Sequence, residues 1–164
     1  MSQFEGQEMY NLIKRLFPIH RSITGNGVRE TLAILGEYMD GLDVSEIPTG
    51  QNCFDWTIPN EWNIREAYIE DSSGKRIVDI RDNNLHVLNY SAPVDGVFTL
   101  EELKPHIYSL PDQPDAIPYK TSYYTERWGF CITHDQLKSL ESDYYRVRID
   151  ATLAPGSLTI AHKR

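Results

Sequence analysis

Histidine and cysteine, the residues that most often act as zinc ligands, bases and nucleophiles, are spread thinly along this sequence. No two histidines have the i, i+4 spacing of a helical zinc site, and the two cysteines form no Cys-x-x-Cys pair. The sequence also contains neither a phosphate-binding loop nor a Gly-x-Ser-x-Gly turn. We therefore predict no metal site and no cofactor in this chain. The five histidines and two cysteines of the sequence are His20, His86, His106, His134, His162, Cys53 and Cys131.

Cys131 and His134 lie close enough in sequence to suggest a nucleophile with its base. Cys131 also stands between Phe130 and Ile132, which is typical of a buried, unreactive thiol. Three residues apart in a strand-to-helix segment, the two side chains need not face each other. Both interpretations stay open, and no catalytic residue is assigned.

Residues 118–135 combine aromatic rings with charged side chains. The proline-rich segment 110–118 cannot continue a helix or a central strand, so it should present the rings from an extended arm. Rings with polar tips among charges are typical of a binding surface, where the tips should be exposed and converge. Alternatively, the rings belong to the core and edge of a β-sheet. The candidate substrate-binding residues are Tyr119, Tyr123, Tyr124, Arg127, Trp128 and His134.

A polar, glycine-containing turn at residues 20–27 separates two apolar stripes. Backbone N–H groups at the start of the following helix could bind an anion, with Arg21 beside it. The alternative is a capped turn whose hydroxyl groups satisfy the helix ends. Arg21 is therefore a further candidate for substrate binding.

Two helices are predicted at the start of the chain. Apolar residues at helical spacing indicate the first, which Pro18 ends. A second stripe over residues 28–39 indicates the next helix, capped by Asn26 or Gly27 and stopped by Gly41. Because the linker is short, the two helices should pack as a hairpin or a corner.

Short alternating segments separated by turns follow the helices. Residues 65–70 and 76–80 are predicted to form a hairpin, and residues 85–90 a further strand. The remaining strands are predicted at residues 44–47, 97–98, 144–150 and 157–161.

Two capping-box spacings interrupt these strands. Thr99 with Glu102, and Thr133 with Gln136, each predict one small helix. The predicted fold class is therefore α+β and β-rich, with an N-terminal helix pair followed by an antiparallel β-sandwich or barrel.

Composition restricts the classes of function. The 164 residues suffice for one domain, or for one domain and a piece of another. Hydrophobic residues at 40% and charged residues at 24% are typical of a soluble globular protein, and a net charge of −8 disfavours nucleic acid as a partner. No apolar run is long enough to cross a membrane, and no signal-peptide pattern is present. A cytoplasmic location with reduced cysteines is predicted.

Five segments, in order along the chain, resemble a bacterial aminopeptidase-like family whose members are often linked to polysaccharide or capsule biosynthesis gene clusters. The resemblance covers nearly the whole chain, from Met9 to about Thr159. The segments are residues 16–32, 54–65, 84–94, 110–124 and 128–134.

The resemblance implies that residues 1–42 begin a zinc aminopeptidase α/β domain of clan MH. It implies that residues 43–164 form a jelly-roll-like inserted domain, long labelled a domain of unknown function. A C-terminal winged-helix domain usually follows. Zinc is expected in full-length members, where a His-Pro stretch leading to Asn-Asp-Asn carries the metal and lies beyond the last residue here. The chain is thus expected to be a truncated N-terminal part, inactive by itself.

Two functions of different class follow. In the first, the chain is the N-terminal part of a zinc-dependent aminopeptidase-like hydrolase, and its β domain shapes the substrate cleft. In the second, it is a non-catalytic β-sandwich module that binds a glycan or peptide in polysaccharide biosynthesis. A small peptide-like or glycan-like substrate is the expected partner in either case, together with self-association through exposed helix faces.

Overall fold

The computed structural model describes residues 3–123 and 125–163, with side chains from residue 6 onward. These residues form two compact units. Unit 1 comprises the chain up to Glu61 together with the segment from Pro155, and unit 2 comprises Trp62–Ala154. These units have other bounds than the predicted domains 1–42 and 43–164, which remain a prediction.

Unit 1 contains the two long helices. Helix α1 spans Gln3–Leu16 and ends before Pro18, as predicted, because a proline disfavours helical geometry in the residue before it. Helix α2 spans Asn26–Gly36. Arg15 forms an ion pair with Glu37, so the end of α1 contacts the residue that follows α2.

Both predicted ends of α2 were wrong by a few residues. The N-cap is Gly25, whose φ of 93° favours glycine, rather than Asn26 or Gly27. At the other end Glu37 is the C-cap, and the N–H groups of Glu37 and Tyr38 donate to carbonyls three residues back. This tighter turn ends the helix five residues before Gly41.

The strands of unit 1 pair the beginning of the strand region with the end of the chain. Strand β1, Leu42–Pro48, is antiparallel to β10, Ser157–Lys163, over seven residue pairs. A small hairpin joins β2, Asn52–Cys53, to β3, Trp56–Thr57.

Arg29 on α2 links the helix to these strands. Its guanidinium donates to both carboxylate oxygens of Glu61, at 2.9 and 2.6 Å, and to Glu46 on β1 at 3.1 Å. The same guanidinium donates to Ser157 on β10 at 3.1 Å. The planar guanidinium therefore ties the ends of several segments together through paired hydrogen bonds.

The remaining strands are β4 Glu61–Glu70, β5 Arg76–Asp79, β6 Val94–Thr99, β7 Ile107–Tyr108, β8 Phe130–Cys131 and β9 Tyr144–Ala154. Unit 2 is built on a four-stranded sheet of these, with the order β5-β4-β9-β6. The β4–β5 pair is the predicted hairpin, and β6 and β9 are also antiparallel. A short parallel pair, β7 with β8, lies outside this sheet.

Alternation along β9 separates the core from the charged face. Tyr145, Val147 and Ile149 are almost completely buried, whereas the residues between them are polar and charged. Arg148 faces Asp95 across the β6–β9 pair and donates to its carboxylate at 2.7 Å. One face of the sheet therefore packs on the core and the other carries ion pairs.

Both predicted capping boxes are present. Thr99 is the N-cap of α3, Leu100–Leu103, and Thr133 is the N-cap of α4, His134–Lys138. In each box the threonine hydroxyl accepts from a backbone N–H of the helix, and the threonine N–H donates to the side chain of Glu102 or Gln136. These helices are short, so the helical residues are concentrated before Gly41 as predicted. The fold class, α+β and strand-rich with antiparallel sheets, is confirmed, and the jelly-roll arrangement stays a prediction.

The predicted strand at residues 85–90 was wrong. Asn83 caps a 3₁₀ turn, Asn84–His86, by accepting from the N–H of Leu85. The chain then runs between two other loops, since Leu88 N–H donates to Gly129 and Asn89 N–H donates to Lys120. Hydrogen bonds to irregular neighbours, and not a regular ladder, therefore hold this segment.

Candidate functional site

The aromatic residues of 119–128 are held in place by residues 87–92, which precede β6. Asn89 and Thr121 form an isolated parallel bridge, and Val87 and Phe130 form an antiparallel one. Ser122 donates from its hydroxyl to the carbonyl of Tyr90 at 2.9 Å. Residues within 119–128 and just after it are therefore fixed to the mostly buried segment 87–92.

Tyr119 and Tyr123 form the centre of the candidate site. Their hydroxyl oxygens lie 3.1 Å apart, and Tyr119 is 61% exposed. Partial burial and the hydrogen bond to Tyr123 raise the pKa of Tyr119 to about 12, so its hydroxyl is protonated near neutral pH. The pair presents hydroxyl groups that can donate and accept. These two predicted site residues are brought together.

Two residues that the sequence did not single out for binding support this pair. The ring of Tyr123 meets Tyr90 edge to face, with centroids 5.0 Å apart, and Tyr90 stacks on Trp62 at 5.9 Å. Trp62 donates its indole N–H to the carbonyl of Ser91 at 2.9 Å. A connected set of rings thus leads from the core to Tyr119. We call Trp62, Tyr90, Tyr123 and Tyr119 the aromatic ladder.

Tyr90 has a strained backbone. Its φ of 67° lies in the left-handed region, which is uncommon for a bulky residue. The ring is 3% exposed and is held between Trp62 and Tyr123. Such strain persists where the surroundings over-determine a conformation, and it is concentrated at functional sites. Nothing in the sequence indicated this conformation.

The other predicted residues of the stretch are engaged elsewhere. Arg127 donates to the carbonyl of Thr121 at 3.2 Å, and its guanidinium carbon lies 5.8 Å from the centroid of the Tyr108 ring. Trp128 stacks on His106 at 3.6 Å with its ring nearly parallel. Tyr124 lies outside the described residues.

His134 has a structural partner and Cys131 is inaccessible. Nδ1 of His134 lies 3.0 Å from the Ser109 hydroxyl. Cys131 is completely buried, and burial raises the pKa of its thiol to about 11, which disfavours the reactive thiolate. The geometry therefore favours the buried, unreactive interpretation of Cys131 over a nucleophile with His134 as base.

Arg21 lies in unit 1, at the turn between the helices. Its guanidinium donates to the carbonyl of Leu16 at 2.7 Å, at the C-terminal end of α1. A Cβ atom on Gly27 would lie 2.1 Å from the carbonyl oxygen of His20, so the turn requires glycine there. Anion binding by Arg21 stays a prediction, as does substrate binding by the other candidates.

The described residues do not fit a zinc site. A catalytic zinc needs about three protein ligands that converge on one point. Over residues 3–123 and 125–163, the structure brings together no group of three His, Cys, Asp or Glu side chains that could hold a metal ion. Zinc therefore stays an expectation for the longer family members, and no chemical step of this chain is assigned to it.

Comparison with known proteins connects the chain to longer proteins. A proposed polysaccharide biosynthesis protein with an aminopeptidase-like domain, from Clostridium acetobutylicum, is 51% identical over 154 residues. That match covers 94% of this chain and 35% of the relative. The crystal structure of a proposed peptidase from the same organism superposes with a TM-score of 0.91 at 50% identity, over 96% of this chain and 37% of that one.

These matches confirm the predicted resemblance to aminopeptidase-like proteins. The chain spans about a third of the length of the relatives it matches. In the described residues, no helix is both long and apolar enough to cross a membrane. The sequence profile of a domain of unknown function, DUF2172, matches residues 61–152, which include nearly all of unit 2. The chain belongs to the DUF2172 family.

Proposed function

We propose that this chain is part of an aminopeptidase-like hydrolase acting in polysaccharide biosynthesis, and that unit 2 contributes substrate recognition. The observation that carries the proposal is the match to the Clostridium acetobutylicum peptidase structure, at a TM-score of 0.91 and 50% identity. At this identity a likeness of fold extends to many of the individual side chains. The catalytic chemistry, including any zinc, is assigned to the part of such proteins that this chain does not span.

Within the proposal, Tyr119 and Tyr123, at the outer end of the aromatic ladder, form the surface that contacts substrate. Tyr119 and Tyr123 offer rings and hydroxyl groups together, which suits a peptide or glycan-like molecule with apolar faces and polar edges. Tyr90 and Trp62 fix Tyr123 from beneath, so little conformational entropy is lost when a ligand binds.

The pair of exposed Tyr119 and half-buried Tyr123 also supports the second function, a module that binds a glycan or peptide without chemistry of its own. The two functions differ in whether hydrolysis accompanies binding in the longer protein. One assay on the longer protein therefore separates them.

The experiment compares the Clostridium acetobutylicum relative with a chimaera in which this chain replaces the matched 154 residues. Release of p-nitroaniline from aminoacyl p-nitroanilides is measured with zinc and with a chelator. We expect both proteins to hydrolyse the substrate in a chelator-sensitive manner, and residues 1–164 alone to be inactive.

Substitution of both Tyr119 and Tyr123 by alanine in the chimaera tests the recognition surface. We expect KM to rise several-fold with a smaller change in kcat, because the rings bind substrate but do not react. Val97→Ala, at an exposed position on β6, is the matched control. If neither protein hydrolyses the substrate under any condition, only the function as a binding module is left. If KM is unchanged in the double variant, Tyr119 and Tyr123 do not bind the substrate.

A further inference from the structure

A pocket of about 260 Å³ lies in unit 2, and its lining includes none of the residues of the aromatic ladder. It is lined by the β4–β5 hairpin, the end of α4 and the start of β9. Its apolar lining comes from Ile77, Val78, Ile132 and Leu140. This volume lies near the lower end of the range for ligand pockets, so it suits a small molecule or a single side chain.

Asp71 is one of the residues that line this pocket. Within the described part of the chain, its hydrogen bonds come from the N–H and hydroxyl of Ser73 and from the N–H of Lys75, and all of them end on Oδ1. The hydrogen bond from the Ser73 hydroxyl, and more weakly those from the backbone N–H groups of Lys75 and Ser73, lower the pKa of Asp71, so the carboxylate is ionised at neutral pH. Oδ2 is therefore left to accept from a ligand.

The other polar groups of the lining are also rich in acceptors. Glu141 is exposed and contributes a second carboxylate. Ser139 donates its own hydroxyl hydrogen to the carbonyl of Gln136, so its oxygen can still accept. Ser142 is fixed by a bond from its N–H to the hydroxyl of the buried Tyr145 at 2.9 Å. The residues that line the described pocket include no lysine or arginine.

We propose that this pocket binds a small primary ammonium compound with an apolar body. An ammonium group carries three N–H donors and no acceptor. It therefore matches a rim that offers Asp71, Glu141 and a serine oxygen, while the body contacts the isoleucine and leucine side chains. The opposite charge, a carboxylate or phosphate, would meet two carboxylates and no cation in the lining. This inference stands independently of the proposed function.

The test uses phenethylammonium as the probe and 2-phenylethanol as its neutral counterpart of similar shape. Binding to the full chain is followed by amide chemical-shift changes in ¹H–¹⁵N spectra, which also report whether each variant is folded. We expect both compounds to shift amides of residues 132–142, with the ammonium binding more tightly.

Glu141→Gln and Asp71→Asn remove one negative charge each, and the asparagine oxygen can still accept the turn hydrogen bonds at position 71. We expect each to weaken phenethylammonium binding about two- to fivefold, as for a solvent-exposed ion pair, and to leave 2-phenylethanol unchanged. Glu101→Gln, an exposed carboxylate on α3, is the control and should change neither. The proposal is wrong if neither compound shifts these amides, or if both charge-removing variants bind the ammonium as tightly as the unsubstituted chain.

Discussion

Units 1 and 2 bury their apolar residues to very different extents. In unit 2 a continuous core includes Phe130, Ile132, Val147 and Ile149, all at most 1% exposed. Among the described residues of unit 1, the buried apolar side chains are Ile34 and Ile58. Large apolar side chains of unit 1 are instead exposed: Met9, Tyr10, Ile13, Phe17, Tyr38, Met39, Val44, Phe54 and Ile160.

The two units are therefore stabilised by different interactions. Unit 2 has enough buried apolar area to be stabilised mainly by the hydrophobic effect. Unit 1 depends more on backbone pairing of β1 with β10 and on the polar cluster around Arg29. Exposed apolar patches of this kind often mark a surface that contacts another protein segment, and the relatives are about three times as long as this chain.

The largest expected effect comes from the core of unit 2. Phe130→Ala should lower the free energy of unfolding by about 3–5 kcal/mol, because it removes a fully buried ring and leaves a cavity. The matched change in unit 1, Phe17→Ala, removes a ring that is 58% exposed and should cost within about 0.5 kcal/mol. Urea unfolding of both variants measures the difference. Similar losses at the two positions would contradict the contrast between the units.

A smaller effect is expected in the polar cluster of unit 1. Glu61→Gln should lower the free energy of unfolding by about 1–3 kcal/mol, since it weakens two charge-assisted bonds from Arg29 and one from the N–H of Ser157. Glu37→Gln, in the exposed pair with Arg15, is the control and should have the smaller effect. Thermal unfolding gives both values, and the reverse order would show that the cluster does not support unit 1.

The exposed face of α1 should make the isolated chain self-associate. We expect the sedimentation coefficient to rise with protein concentration, and the double variant Ile13→Glu, Phe17→Glu to reduce this rise because it adds charge to the apolar face. Val97→Glu makes the same kind of change at an exposed position of unit 2. If the chain sediments as a monomer at every concentration, the exposed face of α1 does not mediate self-association. The same conclusion follows if Val97→Glu reduces the rise in sedimentation coefficient equally.

The smallest expected effect is on the pH dependence of stability. Hydrogen bonds from Arg29 and then Thr159 hold the pKa of Glu46 below its usual value of 4.5. A carboxyl group with a lower pKa in the folded state stabilises it at neutral pH, and this contribution is lost as the pH falls through the folded pKa. The loss of stability between pH 5 and pH 3 should therefore be shallower in Glu46→Gln. Identical acid profiles would show that Glu46 contributes nothing to the pH dependence.

Local patterns in the sequence predicted much of the fold. Pro18 ends α1, the Thr99 and Thr133 capping boxes both form, and residues 71–75 connect a hairpin. Each of these features depends on neighbours within a few residues, so its signal is local. The pairing of β1 with β10 joins segments more than 100 residues apart, and no local pattern indicates it.

The candidate site was predicted only in part for the same reason. Tyr119 and Tyr123 were identified from composition, and the structure brings their hydroxyl groups together. The alternation at residues 85–90 suggested a regular strand, whereas this segment is hydrogen-bonded to loops distant in sequence and Tyr90 has a positive φ and stacks on Trp62. Trp128 and His134 were grouped with the site by proximity in sequence, but they contact His106 and Ser109.

Hydrogen exchange, measured on the chain alone and within the chimaera, tests whether the two units differ in their dependence on the longer protein. Unit 2 has its own apolar core, whereas we expect the exposed face of α1 to be covered by the remainder of the longer protein. Amides of β4 and β9 should then exchange equally slowly in both proteins, while amides of α1 should exchange much more slowly in the chimaera. The contrast between the units is contradicted if the amides of α1 are equally protected in the two proteins. It is also contradicted if the amides of unit 2 become protected only in the chimaera.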